Sequence, residues 1–412
     1  MHGDHPDIPY VAVAPFVVIL LGIAILPLVA GHWWEKNRNR LIFTAIVTVP
    51  TGAYLVTLNW HMLLHAAEEY FSFIFLLGSL FIISGGIVLR GELKQSPWVN
   101  AGLLATGAVL ASVIGTTGAS MLLIRPYLRA NRVRDYSRHL PIFFIFVVSN
   151  AGGLLTPLGD PPLFLGFLRG VPFTWTFHLV PEWAFVNGIL ILIFLVVELR
   201  LAAASGAPAD YQRTPPSLAG AHNFIFLGMV VASAALLPLG WRELGMGVAT
   251  VLSMVTTKKT LREENGFTFH PIEEVAILFA GIFVTMQPAL GLLQAHGPEM
   301  GLNSPHSFFW VTGALSSFLD NAPTYVTFFT VAQSLGGENL VAQTGVPEAM
   351  LVAISLGAVF MGANTYIGNG PNFMVKSICD EAGFTTPSFF GYMLWSVGIL
   401  VPLLFLVSVL FI

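Results

Sequence analysis

The sequence predicts an all-α, polytopic membrane protein built from two inverted repeats. Hydrophobic residues occupy 55 % of the 412 positions and charged residues only 10 %, far below the roughly 25 % of charged residues in an average soluble domain. Apolar runs long enough to cross a bilayer recur along the chain. Two of these runs are interrupted by related polar segments rich in glycine and proline, one in each half of the chain.

The first half, residues 1–200, is predicted to contain five membrane spans and one re-entrant hairpin. Residues 98–127 form two apolar arms of about a dozen residues around Gly115 to Ser120. Arms of that length are short for a crossing, so they predict a hairpin that enters and leaves by the same face. The five spans are Tyr10 to Gly31, Leu41 to Leu58, Tyr70 to Leu89, the broken span Pro141 to Leu168, and Leu179 to Val197.

A linker rich in Ala, Gly, Ser and Pro, residues 201–219, leads into a second half, residues 220–412, that repeats the same order. Residues 307–335 are its hairpin. Each half has five crossings, an odd number, so the second half must enter the membrane from the opposite face. Its spans are Asn223 to Leu239, Leu244 to Thr256, Val275 to Leu293, the broken span Pro347 to Cys379, and Phe389 to Phe411.

The two interruptions, Ser149 to Pro162 and Asn364 to Asn372, resemble one another. Proline lacks a backbone N–H and glycine weakens a helix, so each segment predicts two half-helices that meet inside the membrane. Their free backbone groups persist there only next to protein or a water-filled cavity, which makes both breaks candidate binding sites. The alignment pairs Thr156 with Thr365, Gly159 with Gly368, Asp160 with Asn369 and Pro162 with Pro371.

The charge distribution predicts the orientation in the membrane. Of the 18 Lys and Arg residues, 16 fall on one face of the predicted topology, and only Arg169 and Arg242 fall on the other. The positive-inside rule makes the first face cytoplasmic and both termini extracytoplasmic, in an inner membrane. No removable signal peptide is expected. The net charge of −4 predicts no nucleic-acid partner, and the single cysteine excludes an internal disulfide.

Asp160 and Asp320 are the acidic residues that this topology places deepest. A carboxylate at mid-membrane costs several kcal/mol unless it is paired, protonated or bound to a cation. No Lys or Arg is expected at that depth, so each aspartate is predicted to bind Na⁺ or a proton. The alternative is a protonated, hydrogen-bonded carboxyl group with a structural role.

Neutral polar side chains cluster near the same breaks and hairpins. Hard cations such as Na⁺ prefer oxygen ligands, whereas the positive ends of half-helices favour anions, so the cluster fits either kind of ligand. For each residue alone, helix packing or capping is the simpler interpretation. The candidates are Thr116, Thr117, Asn150, Thr156, Asn321, Thr324, Asn364, Thr365, Asn369 and Asn372.

Two pairs of glutamates, Glu68-Glu69 and Glu273-Glu274, align between the halves, and each is predicted to open a span. Negative charge at that position is favourable because of the helix dipole. Proton relay or gating is the functional alternative.

No nucleotide-binding loop, dinucleotide fingerprint or zinc-protease His pair occurs. The sequence therefore predicts a protein that is not an enzyme and needs no cofactor beyond the transported or coupling ions, Na⁺ and H⁺.

In Ser149 to Pro162, Leu319 to Thr324 and Asn364 to Asn372, the chain resembles the ion transporter superfamily, in particular the NhaD-like sodium/proton antiporters and their citrate and arsenite transporter relatives. The resemblance implies a homodimer with a scaffold of spans 1, 2, 6 and 7 and a moving transport domain. One departure is that NhaD-like members carry an Asp-Asn pair in the first hairpin, where this chain has Ile114-Gly115-Thr116.

Two functions are therefore expected. The first is exchange of Na⁺ or Li⁺ for H⁺, with Asp160 and Asp320 alternately protonated and cation-bound. The second is Na⁺- or H⁺-coupled transport of an organic acid such as citrate or a dicarboxylate, or of an oxyanion such as arsenite, held by half-helix N-termini.

Overall fold

A computed structural model describes residues 8–91, 93–132, 136–204 and 215–412, without the side chains of residues 202–204. The chain is mainly helical and contains several long apolar helices, which confirms the prediction of a polytopic membrane protein. Part of the predicted linker, residues 205–214 with Arg213, lies outside the described residues, as does Arg134. Within the described part, six helical segments are long and apolar enough to cross a membrane: Tyr10–Val29, Asn37–Ser84, Pro97–Ile114, Trp175–Leu201, His270–Met300 and Phe389–Phe411.

The helices of the first half follow the predicted order, with one merger. They are α1 (Ala14–Val29), α2 (Gly31–Trp34), α3 (Asn37–Ser84), α4 (Pro97–Ile114), α5 (Thr116–Ala130), α6 (His139–Val147), α7 (Pro161–Leu168) and α8 (Val180–Ala204). The long α3 holds both the second and the third predicted spans and bends at Asn59, whose backbone is extended (φ −164°, ψ 104°). The polar residues before Tyr70, predicted to lie outside a span, are therefore helical.

The second half contains nine further helices. They are α9 (Asn223–Leu236), α10 (Trp241–Thr256), α11 (Lys259–Glu264), α12 (His270–His296), α13 (Pro305–Ser316), α14 (Asn321–Leu335), α15 (Glu348–Met361), α16 (Gly370–Glu381) and α17 (Phe389–Phe411). The prediction of a purely α-helical chain needs one correction. Short strands β1 (Val88–Arg90) and β2 (Ser217–Ala219) pair antiparallel, because the extended chain after α3 meets the end of the linker.

The first predicted hairpin differs from the expectation in the length of its arms. The arm α4 has 18 residues and α5 has 15, rather than about a dozen each. No proline or bend interrupts α4 before Gly115, which ends it with φ +80°, a conformation that favours glycine. The corresponding α13 and α14 have 12 and 15 residues.

Both predicted helix breaks are present. A 3₁₀ turn, Ala151–Leu155, separates α6 from α7, and another, Gly362–Asn364, separates α15 from α16. The two breaks make equivalent contacts. The Thr156 hydroxyl donates to the Ser112 carbonyl oxygen at 2.5 Å, and the Thr365 hydroxyl donates to the Ser317 carbonyl oxygen at 2.5 Å. Each threonine therefore ties its break to the neighbouring hairpin arm.

The helices form two packed groups. In one group, α12 lies along α3, and α9 and α10 pack beside them; Phe73 of α3 stacks on Phe279 of α12 with ring centroids 4.7 Å apart. The other group contains both hairpins and both broken helices, with α13 lying along α15. The groups meet where α12 contacts α14 and where α3 contacts α5 and α7. The beginnings of α5, α7 and α14 lie close to this boundary, because Thr116, Pro161 and Thr324 line cavities together with residues of α12.

The close backbone approach in the first break gives a stability prediction. A Cβ atom on Gly159 would overlap the Gly153 carbonyl oxygen, whereas a Cβ on the helical Gly188 meets nothing within 4 Å. We expect Gly159→Ala to destabilise the fold by about 1–3 kcal/mol, the usual cost of overpacking. Thermal unfolding of the purified protein measures this loss, with Gly188→Ala as the matched control. Equal melting temperatures for Gly159→Ala and the control would contradict the packing.

Candidate functional site

Four helices begin at one point in the protein, around the carboxylate of Asp160. Their first residues are Thr116 in α5, Pro161 in α7, Asn321 in α14 and Gly370 in α16. The Thr116 hydroxyl donates to Oδ1 of Asp160 at 3.2 Å. The Asn321 amide donates to Oδ2 at 2.6 Å. The amide of Asn369, the residue before α16, donates to Oδ1 at 3.1 Å.

The local sequence explains why the Asp160 carboxylate points away from its own helix. Asp160 is the N-cap residue of α7, a position where the side chain usually accepts a backbone N–H of the first turn. The next two residues are Pro161 and Pro162, which have no N–H to donate. The Leu163 N–H bonds to the Asp160 backbone oxygen instead, at 3.1 Å. The carboxylate is therefore left for contacts with other helices.

Asp160 is only 1 % exposed. Among the described residues, no Lys or Arg lies within ion-pair distance of its carboxylate. Helix N-termini carry a partial positive charge, and the contacts of Thr116, Asn321 and Asn369 bring the starts of three other helices next to this carboxylate. Helix dipoles and hydrogen bonds thus stabilise the buried Asp160 carboxylate in place of an ion pair.

A network of amides joins the two breaks behind Asp160. Asn369 also donates to the Ser149 carbonyl oxygen at 3.2 Å and to Oδ1 of Asn150 at 3.1 Å. Asn150 donates to Oδ1 of Asn372 at 2.6 Å, and Asn372 donates to the Gly362 carbonyl oxygen at 2.9 Å. The sequence-predicted residues Asn150, Asn369 and Asn372 therefore form one buried cluster with Asp160.

The centre contains oxygen atoms suited to a hard cation. Asn321 is 0 % exposed, and its Oδ1 atom has no hydrogen-bond partner in the described part of the protein. Together with the Asp160 carboxylate and the Thr116 hydroxyl, it offers the carboxylate, amide and hydroxyl oxygens that Na⁺ would require. Within the described ranges, no group of three or more His, Cys, Asp or Glu residues forms a metal cluster.

Asp320 stands in a different environment from Asp160. It is half-buried, and as the N-cap of α14 its Oδ1 accepts the Ala322 N–H at 3.0 Å. The difference follows from the sequence, because Asn321 and Ala322 carry N–H groups where Asp160 is followed by two prolines. The two aspartates therefore differ in burial, and their depth in the membrane stays a prediction. A role for Asp320 as a Na⁺ ligand stays a prediction.

The remaining predicted ligands lie beside the centre and do not bond to Asp160. Thr324 donates to the Asp320 carbonyl oxygen at 2.9 Å, and Asn364 donates to the Ser317 hydroxyl at 2.9 Å. Thr156 and Thr365 hold the breaks against the hairpins, as described above. Thr117 lines a small cavity at the first hairpin.

Two cavities adjoin the hairpin bends, at the boundary between the helix groups. One, of about 60 Å³, is lined by Thr116, Thr117 and Gly159 together with residues of α3 and α12. The other, of about 360 Å³, is lined by Leu319 and Thr324 with residues of α1 and α12. Asp160 itself is buried and lines neither of these two cavities.

The first glutamate pair does not open a helix, which corrects the sequence interpretation. Glu68 and Glu69 lie well inside α3, far from its bend at Asn59. Glu68 is exposed, whereas Glu69 is buried and pairs with Arg169, at the end of α7, with an N–O distance of 2.9 Å. The helix-dipole explanation therefore does not apply to this pair.

The second glutamate pair does lie at a helix start, as predicted. Glu273 belongs to the first turn of α12 and accepts the Asn37 amide at 3.0 Å. Glu274 pairs with Arg40 of α3 at 3.0 Å. Glu274 thus links two helices of one packed group, while Glu69 links one group to the other.

One buried polar cluster was missed by the sequence analysis. Glu198 is 0 % exposed and contacts the His139 ring at 2.9 Å, and it accepts the Asn100 amide at 2.6 Å. Asn100 also exchanges hydrogen bonds with Asn131. The predicted fifth span ended at Val197, but α8 continues to Ala204, so Glu198 lies inside a helix. The available signal was an acidic residue directly after an apolar run.

A protein-family profile described as "Putative citrate transport" matches residues 5–412, nearly the whole chain. This chain belongs to that citrate transport family. Membership supports a membrane transporter of the ion-transporter kind, consistent with a protein that is not an enzyme, and does not single out the NhaD-like antiporters. A search of curated proteins finds no match.

The buried ion pair between the helix groups gives a second prediction. In Arg169→Gln, the Glu69 carboxylate loses its cation while only 7 % of its side chain is exposed. Removing one partner of a buried pair typically costs 3–5 kcal/mol, so we expect a loss of about 3 kcal/mol, seen as a lower melting temperature.

The double variant Glu69→Gln, Arg169→Gln should recover most of that loss, because no buried charge is left unpaired. Arg90→Gln, which breaks a pair with Glu264 in which both side chains are more than a third exposed, is the matched control and should change stability far less. A double variant as unstable as Arg169→Gln would contradict this account of the pair.

Proposed function

We propose that this protein is a secondary active transporter of citrate or a similar organic acid, driven by Na⁺ or H⁺ bound at Asp160. The observation that carries the proposal is the buried Asp160 carboxylate, which contacts neutral donors at helix starts and no Lys or Arg of the described residues, in a chain of the citrate transport family. An anion and a carboxylate repel each other, so the cation is an essential part of the proposal.

The proposed coupling follows from the charges at the centre. With Asp160 ionised, its negative charge offsets the positive helix ends. When Na⁺ or a proton neutralises it, the partial positive charge of the surrounding helix starts is left uncompensated and favours an anion. Cation binding then raises the affinity for the substrate, and by linkage the substrate raises the affinity for the cation. Two ligands that bind cooperatively and move together give symport.

Na⁺/H⁺ exchange is the second candidate, and the same carboxylate favours it. A proton and Na⁺ cannot both occupy one carboxylate, so they would compete for Asp160 and move in opposite directions. The two candidates differ in what accompanies the cation. In symport the organic anion is required for turnover, whereas in exchange it is irrelevant.

The proposed movement is alternating access by two inverted repeats, each with a re-entrant hairpin and a broken span. It is supported by the matched contacts of Thr156 and Thr365 and by the convergence of both hairpins and both breaks on one centre. The group containing α3, α9, α10 and α12 would be the fixed scaffold, and the other group would move. We further propose a location in the cell inner membrane with both termini outside, on the basis of the distribution of basic residues. A homodimer is proposed as well, because the resemblance to the ion transporter superfamily implies one.

Transport by the purified protein in liposomes tests the proposal. We expect labelled citrate to accumulate when Na⁺ or proton concentration is higher outside, and uptake to fall at least tenfold without either gradient. Asp160→Asn should lose this dependence, because an amide binds neither a proton nor Na⁺ as a carboxylate does. Glu338→Gln, which removes an exposed carboxylate, is the control and should transport normally.

The controls separate the alternatives. Asp160→Asn must elute and melt as a folded protein for its transport to be interpreted. Proton movement driven by Na⁺ without citrate uptake would favour the exchanger, and gradient-driven uptake that persists in Asp160→Asn would overturn the assignment of Asp160. Asp320→Asn should still cap α14, so a full loss of coupling in that variant would indicate that Asp320 is also an ion ligand.

A further inference from the structure

An open groove runs between α3 and α10, away from the Asp160 centre. A cavity of about 540 Å³ along it is lined by Phe75 of α3 and by Gly247, Val248 and Val251 of α10. A second cavity, of about 390 Å³, is lined by Ile82 of α3 and residues at the end of α10. Phe75 and Ile82 are two helical turns apart on α3, so the two cavities follow one another along the same face.

The first cavity is apolar and faces outward. Of its lining residues, Leu244 is 56 % exposed and Val251 is 59 % exposed, on a helix that is long enough to lie across much of a bilayer. Gly247 forms part of the wall, and a Cβ there would already reach 3.5 Å from the Phe75 ring. Phe75 therefore packs close to the Gly247 backbone, and the two residues form part of the wall of an apolar cavity along α10.

The second cavity is cationic. Lys259 and Arg262 line it beside Phe267. Arg262 donates to the Ile82 carbonyl oxygen and to the Ser253 hydroxyl, and it lies 5.4 Å above the Phe267 ring. In the described part of the chain no carboxylate lies within ion-pair distance of Arg262.

The two nearby glutamates, Glu263 and Glu264, do not fully neutralise the positive charge of Lys259 and Arg262. Glu264 is bound by Arg90, with N–O distances of 2.7 to 3.1 Å. Glu263, which lines the same cavity, lies 3.6 Å from Lys259 in an exposed contact. A phosphate group entering the cavity would therefore displace only a weak surface pair.

We propose that this groove binds an anionic phospholipid, with its phosphate at Lys259 and Arg262 and an acyl chain along α10 over Gly247. An apolar channel that ends in a basic pocket matches the two chemically different parts of such a lipid. Basic pockets between helices are typical headgroup sites, and each Lys or Arg near the headgroup contributes about 1 kcal/mol. The inference uses the membrane location of the chain and is independent of the transported substrate.

The charge also argues against a second copy of the chain as the occupant of this groove. A two-fold axis through α10 would place the same surface of both subunits in contact. Lys259 and Arg262 of the two copies would then approach one another, and like charges facing each other at an interface are unfavourable.

The test is the affinity of the purified full chain for two lipids with the same acyl chains, phosphatidylglycerol and phosphatidylcholine, measured as lipid-dependent thermal stabilisation in detergent. The unaltered protein should be stabilised more by phosphatidylglycerol. Lys259→Gln should bind it about fivefold more weakly, the equivalent of one headgroup contact. Glu263→Gln should bind it more tightly, because the competing carboxylate is gone.

The acyl channel and the controls complete the test. Gly247→Leu fills the channel and should weaken binding of both lipids at least threefold, while Lys36→Gln, which removes an exposed lysine outside the groove, should leave binding unchanged. Equal stabilisation by both lipids, or equal effects of Lys259→Gln and Lys36→Gln, would overturn the proposal. So would a Gly247→Leu variant that loses a dimer but keeps its affinity for phosphatidylglycerol.

Discussion

The architecture depends on stabilising one carboxylate in the protein interior without a basic partner. Asp160 accepts hydrogen bonds from Thr116, Asn321 and Asn369, and four helices begin around it. This arrangement requires helices that start inside the protein, which an unbroken span cannot provide. The two breaks and the two hairpin bends each contribute one such start. In the proposed function, the same positive helix ends that tolerate Asp160 as an anion would hold a substrate anion once a cation neutralises Asp160.

The boundary between the helix groups carries a second, asymmetric feature. Glu69 and Glu274 occupy matching positions in the two halves, yet Glu69 pairs across the boundary with Arg169, while Glu274 pairs with Arg40 inside the group that holds α3 and α12. If the groups slide past one another during transport, the Glu69 pair must separate and the Glu274 pair need not. The first half of the chain therefore contributes an ion pair that joins the two helix groups, and the matching glutamate of the second half does not. Such a difference would bias the resting population toward one state of the cycle.

Much of the fold was predictable because long apolar runs indicate membrane helices, and glycine and proline positions indicate where those helices break or end. Both breaks and the position of α17 follow directly from those signals, whereas the re-entrant character of the two hairpins stays a prediction. Contacts between distant segments were less accessible. Glu69 and Arg169 are 100 positions apart in the sequence, and His139 and Glu198 are 59 positions apart. No local sequence pattern predicts either contact. The contrast between Asp160 and Asp320 was readable, since it depends on whether prolines or N–H groups follow the aspartate, but that distinction was not drawn from the sequence.

The central claim is that the carboxylate belongs to a centre shared by both repeats, and relocating it tests that claim most directly. Asn369 aligns with Asp160, and its amide nitrogen lies 3.1 Å from the Asp160 carboxylate. The measurement is gradient-driven citrate uptake by the double variant Asp160→Asn, Asn369→Asp, compared with Asp160→Asn alone. The account predicts that moving the charge by this small distance restores cation-coupled uptake to within about tenfold of the original protein, a difference of roughly 1.4 kcal/mol. A folded double variant as inactive as Asp160→Asn would contradict it.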